Sequence, residues 1–162
     1  MRLGVIGHQG YDELPEILRT LFRVAPSLGI EPLLEQGLHE VAGKGARLED
    51  SAQLDAVVTL GGDGTLLRGA RFLDGRDIPI LGVNLGRLGF LTSCQSEDFE
   101  PALKNLASGD YVAQPRMALK DATRGHAGDG AHQLDGFHVD GRLNRAQLQA
   151  GQLSRLGDVP RA

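Results

Sequence analysis

VVTLGGDGTLLRGA, Val57 to Ala70, is an apolar run that stops at two glycines, an aspartate, a third glycine and a threonine, then resumes with apolar residues at helical spacing. The run "DAVVTL", Asp55 to Leu60, reads as a buried strand. Leu66, Leu67, Ala70 and Leu73 place a helix over 65–73. Gly61 to Thr65 is therefore a turn at the carboxyl end of a strand and the mouth of a helix, where open α/β sheets hold their ligands. Glycines there permit positive φ and let a bulky group approach main-chain N–H groups. The helix start adds a partial positive charge. Gly61, Gly62, Gly64 and Thr65 thus suit a polyphosphate.

Asp63 does not suit a pure phosphate cradle, because a carboxylate repels phosphate unless a cation intervenes or it has another task. Two tasks fit. It can accept the proton of a hydroxyl that attacks a phosphoryl group, or help hold Mg²⁺. Thr65 suits either a helix cap or a phosphate contact. Arg68, one turn on, can lean back to neutralise phosphate charge. A purely structural reading stands beside these: Asp-Gly pairs form turns, and Asp at a helix start is an ordinary N-cap. The Walker spacing with its terminal Lys-Ser or Lys-Thr is absent. The first loop, "GVIGHQG", is spaced G-x-x-G-x-x-G and makes only a weak dinucleotide-binding match.

Outward from this turn, strands and helices alternate. Arg2 to Gly7 reads as a strand, followed by a helix from an Asp12 cap with Pro15 in its first turn and Leu14, Ile17, Leu18, Leu21 and Phe22 on one face, stopping by Gly29. "IEPLLEQ" suggests a shorter strand, and 37–53 carries no clear pattern. Beyond the central turn, Ile78 to Leu85 is a buried strand, a helix runs from a Ser96 cap to a Gly109 stop, and "YVAQPRMALKDAT" returns to strand character. The fold class is α/β: an open, mostly parallel sheet flanked by helices. After Lys120 apolar periodicity fades and no strand run stands out.

Composition narrows the classes. A chain of 162 residues, 41% hydrophobic and 23% charged, suits one folded domain with a core. A net charge of −4 gives no electrostatic reason to expect nucleic acid or an anionic membrane. Cys94 is the single cysteine, so no internal disulfide forms. No signal peptide or spanning run is evident, which points to the cytoplasm. Cys94 reads as a small buried thiol, Arg87 as a surface charge, and the six-residue spacing of His126, His132 and His138 is no metal face.

"GGDGT" followed by "GVNLGRLGFLT" resembles the NAD kinase family over roughly Met1 to Lys120. Lipid kinases such as diacylglycerol kinases carry a similar first motif, so the second discriminates. The resemblance implies ATP-dependent phosphorylation of the adenosine-ribose 2′-hydroxyl of NAD to NADP, with Mg²⁺ and with ATP, or in some members polyphosphate, as donor. It makes Asp63 the catalytic residue, and Gly61, Gly62, Asp63, Gly64, Thr65, Arg68, Asn84 and Phe90 the ligand-contacting set, with Phe90 near the adenine. Gly86 and Gly89 would let the chain approach closely. Against this, Phe90 and Leu91 also read as core, and Asn84 as bonding its own turn. NAD and ATP are the implied partners, in a homo-oligomer.

The family's second, largely β domain carries an Asn-Glu or Asn-Asp pair and a "TPTGSTAY"-like segment, and neither appears here. Residues 1–114 are expected to form the nucleotide-binding domain. Residues 115–162 are expected to be a truncated second domain or a poorly ordered non-native tail, as in a shortened or frame-shifted copy, with activity reduced or lost. The alternatives are a non-catalytic nucleotide-binding module and a lipid kinase fragment.

Overall fold

The structure is a computed structural model that describes residues 1–86, 89–92, 94–117 and 144–148. The first half of the chain winds β1 (Arg2–Gly7), α1 (Leu14–Val24), β2 (Glu31–Leu34), α2 (Gln36–Ala42), β3 (Ala46–Arg47) and β4 (Ala56–Leu60). There follow α3 (Asp63–Leu73), β5 (Ile80–Asn84), β6 (Cys94–Gln95), α4 (Phe99–Ser108), β7 (Ala113–Met117) and β8 (Asn144–Leu148). The sheet order is β3-β2-β1-β4-β5-β8-β7, with β6 also beside β5. Every pairing from β3 to β5 is parallel, as is β5 with β8; only β7 with β8 is antiparallel. The expected open, mostly parallel α/β sheet is what forms.

The central strands are buried on both faces, which is why they read as unbroken apolar runs. Leu3, Val5, Val58, Leu60, Leu81 and Val83 pack with residues of α1, α2 and α4 on one face. Ile6, Val57 and Ile80 pack with Leu66, Ala70 and Leu73 of α3 on the other. Two glycines seat α3 against the sheet. A β-carbon on Gly69 would stand 2.5 Å from Thr59 Cγ2, and one on Gly82 would stand 2.5 Å from Leu66 Cδ1.

Several boundaries differ from the sequence expectation. Helix α1 begins at Leu14 behind Glu13, with no side-chain cap, so Asp12 is not its N-cap. It gives way at Ala25 to a 3₁₀ turn that ends on Gly29 at φ 63°. Ser96 opens a 3₁₀ turn rather than capping α4, whereas Gly109 does stop that helix, at φ 76°. The featureless 37–53 segment holds most of α2 and the two-residue β3. Strand β8 lies where the sequence showed no strand pattern: three of its five residues, Asn144, Arg145 and Gln147, are polar, so neither a continuous apolar run nor a clean alternation marks it. Arg87, His126, His132 and His138 lie outside the described residues.

This order contains a switch point. From β1 the chain moves outward to β2 and β3, then returns to lay β4 on the other side of β1 and β5 beyond it. The loops leaving the carboxyl ends of β1 and β4 therefore diverge, one to α1 and the other to α3 on the opposite face. A crevice opens at such a divergence in open α/β sheets.

Candidate active site

The turn after β4 lies at that divergence, where the fold class places its crevice. Gly61 is at φ 152°, a conformation that favours glycine, and a β-carbon there would also press on the Thr65 side chain, 3.0 Å from its Cβ. Gly62 is the N-cap of α3, and Asp63 is the first helical residue. The helix thus begins two residues earlier than its apolar spacing suggests. Thr65 lies buried in the first turn instead of capping it. Its N–H donates to the Gly62 carbonyl at 3.0 Å.

Asp63 points at the second motif. Its Oδ2 accepts the Phe90 N–H at 2.9 Å, and its Oδ1 accepts those of Leu91 and Thr92 at 3.0 and 3.3 Å. Partial burial pushes the carboxyl pKa up, but the three amide donors outweigh it and hold the group below the usual carboxylate range. Asp63 is therefore ionised at neutral pH. Gly89 makes the contact possible: a β-carbon on it would stand 2.7 Å from Asp63 Cγ and closer still to Oδ1.

Phe90 is 96% exposed, which overturns its reading as core. Its backbone is tethered by Asp63 while its ring stands in solvent beside the turn. Leu91 is half-buried against the α3-side core, so the core reading holds for it in part. Asn84 ends β5 and is buried; its Nδ2 donates to the Gly86 carbonyl at 3.0 Å, and its Oδ1 has no partner among the described residues.

Arg68 leans back toward the strand ends, but toward β1 and β2. Its Nη2 donates to the Gly7 carbonyl at 2.6 Å and to Glu35 Oε2 at 2.9 Å. Glu35 Oε2 in turn accepts the Gly7 N–H at 3.3 Å. The exits of β1 and β2 and the second turn of α3 are clasped by one charged pair. Sequence reasoning passed over Glu35, although a carboxylate directly after a parallel strand lies on the ligand-facing rim by construction. It also passed over Tyr11, whose ring stands edge-on to His8 with centroids 5.7 Å apart.

The structure therefore brings together Gly61, Gly62, Asp63, Gly64, Thr65, Asn84 and Phe90 at one rim, with Arg68 beside them and already paired. Among the described residues no cluster of three His, Cys, Asp or Glu side chains is arranged to hold a metal ion. No helix among them is long and apolar enough to cross a membrane. Cys94 is buried, and burial, followed by the charges of Asp98 and Glu97, pushes its thiol up to about 12. It is no nucleophile at neutral pH.

Known proteins are similar to this chain. Residues 42–111 match the ATP-NAD kinase N-terminal domain. An NAD kinase of Gemmatimonas aurantiaca is 54% identical over 120 residues, covering 74% of this chain and 42% of the relative. An NAD kinase of Geotalea daltonii is 40% identical over 136 residues, covering 81% of this chain and 45% of the relative. The chain thus spans less than half the length of these curated relatives. The crystal structure of yeast NADH kinase complexed with NADH superposes with a TM-score of 0.62 at 19% identity, covering 74% of this chain and 39% of that one, and so shares the fold. By the domain that its glycine turn and its second motif build, this chain belongs to the NAD kinase family.

Proposed function

We propose that this domain serves phosphoryl transfer from ATP to the 2′-hydroxyl of the adenosine ribose of NAD, giving NADP. The observation that carries the reading is the Asp63 carboxylate, ionised at the switch-point rim and bonded to the backbone of the second motif. The names of the relatives support it. In this reading the ribose O2′ attacks the γ-phosphorus, the bond to the bridging β–γ oxygen breaks, and the 2′-hydroxyl proton passes to Asp63 and on to solvent. A low-pKa carboxylate suffices for this, because phosphoryl transfer runs through a loose transition state in which positioning outweighs basicity. Gly61, Gly62, Gly64 and Thr65 line the phosphate cradle, Arg68 supplies positive charge at its border, and Asn84 shapes the facing turn. The exposed ring of Phe90 offers a stacking surface for the adenine.

Mg²⁺ fits this site as a companion of the nucleotide, since such ions are commonly held by one or two carboxylates together with substrate phosphates. Asp63 is the carboxylate that the turn offers, and it would help hold the ion directly or through water. The bound ion would neutralise phosphate charge.

A second reading is a non-catalytic nucleotide-binding module. The same three amides favour it, because they hold Asp63 as a weak base. One experiment separates the two. The purified chain is incubated with NAD, ATP and Mg²⁺ (and in parallel with polyphosphate), and NADP is measured by an NADP-specific dehydrogenase. NADP formation abolished by Asp63→Asn supports the enzyme; saturable binding of ATP or NAD without turnover supports the module; absence of both binding and turnover refutes each.

A further inference from the structure

Two glycines from separate motifs face one side chain that neither motif contains. A β-carbon on Gly86, in the turn after β5, would stand 2.9 Å from Tyr11 Cε1, and one on Gly62, the N-cap of α3, would stand 3.4 Å from the Tyr11 hydroxyl. Tyr11 lies in the loop after β1. Its ring is braced edge-on by His8 and packs partly against the α1-side core. Its carbonyl accepts the Leu14 N–H at 3.2 Å, which ties the loop to the start of α1. The hydroxyl makes no hydrogen bond to the described residues and is not among their sealed-off polar atoms, so its proton is open to solvent or to a ligand.

The crevice thus has a wall made from a third loop. On the side of β4 stand the glycine turn and the amide-rich start of α3, and on the side of β1 stands a braced aromatic ring with a free donor beside that helix start. A phenol O–H is a strong donor to a phosphoryl oxygen, and a ring fixed on two sides loses little freedom when it makes that bond. We propose that Tyr11 is a ligand-binding residue of this domain, donating its hydroxyl proton in a hydrogen bond to a phosphoryl oxygen of a polyphosphate chain lying over Gly61–Asp63. The inference rests on the phosphate-binding part of the function proposed above. The polyphosphate can be that of ATP, the diphosphate of NAD, or an inorganic chain, and separate titrations tell them apart.

The test uses the full 162-residue chain. ATP, NAD and sodium tripolyphosphate are each titrated by calorimetry into the wild type, Tyr11→Phe and Gly86→Ala. Tyr11→Phe keeps the ring and its packing and removes only the hydroxyl, while Gly86→Ala keeps the hydroxyl and pushes the ring aside. Both are expected to weaken the polyphosphate-bearing ligand that binds, Tyr11→Phe by about tenfold, the worth of one hydrogen bond to a charged group. The chain lacks tryptophan and has two tyrosines, so Tyr111→Phe leaves Tyr11 as the single fluorophore. Tripolyphosphate, which does not absorb at the tyrosine band, should then change its emission saturably. Tyr11→Phe binding ATP, NAD and tripolyphosphate within twofold of wild type would overturn the assignment of Tyr11 and leave the proposed function standing. Failure of the wild type to bind any of the three would overturn both.

Discussion

Gly89→Ala is the sharpest perturbation of this site. An alanine side chain at Gly89 meets the Asp63 carboxylate directly. The added methyl would stand 2.7 Å from Asp63 Cγ, where about 3.5–4.0 Å is normal between carbons. The carboxylate or the loop must therefore retreat by about 1 Å. Three hydrogen bonds of 2.9, 3.0 and 3.3 Å do not survive that retreat together. Bonds to charged groups contribute about 1.5–3 kcal/mol each, and the rim is partly solvated, so the loss should be about 2 kcal/mol in all. That corresponds to a fall in Tm of about 5–10 °C for a domain of this size. Gly64→Ala is the internal control. A β-carbon there meets nothing within 4 Å, and the residue is helical, so alanine should be neutral or stabilising by up to about 1 kcal/mol. Thermal melts and amide exchange at Phe90, Leu91 and Thr92 read both variants. Equal stability of the two alanine variants, or unchanged protection of those three amides in Gly89→Ala, would mean that the Gly89 contact does not hold the carboxylate in place.

Other outcomes follow from the same geometry. The Asp63 carboxyl titrates lower in the folded chain than in the unfolded one, so its contribution is complete above about pH 4, the ordinary carboxylate value, and is lost as pH falls through the folded value. Protection of the Phe90–Thr92 amides should thus persist below the ordinary carboxylate value and collapse only as pH falls through the lowered folded value, and Asp63→Asn should lack that acid step. Glu35→Ala should cost about 1 kcal/mol in denaturant melts by stranding Arg68 and the Gly7 N–H, and Glu35→Gln should recover part of it because its amide oxygen still accepts. Cys94 should resist iodoacetamide at pH 8 in the native chain and react fully in denaturant, as its burial and raised pKa require.

Much of this site was legible because its parts are written locally. A strand that stops on glycines and restarts as a helix announces a rim turn, and Gly61 to Thr65 lie where that rule puts them. Gly89 was legible as a close approach, although its partner, Asp63 of the same site, was not. What stayed hidden depends on distant pairing. Phe90 resembles a core residue by type, and nothing local reveals that its N–H is tethered to a carboxylate 27 positions earlier while its ring stands exposed. Arg68 has the charge and spacing of a phosphate ligand, but nothing local reveals that Glu35 and Gly7 hold it. Tyr11 could be placed only once β1 and β4 were known to be neighbours, because beyond His8 of its own loop it faces Gly62 and Gly86.

The seating of α3 on Gly69 and Gly82 reaches beyond packing. Asp63 is the first residue of that rigid rod, and its height above the sheet is fixed six residues downstream, where helix and strand touch without a β-carbon between them. A single methyl at Gly69 would act as a shim under a lever, tilting the carboxylate away from its three amides while altering no residue in the crevice itself.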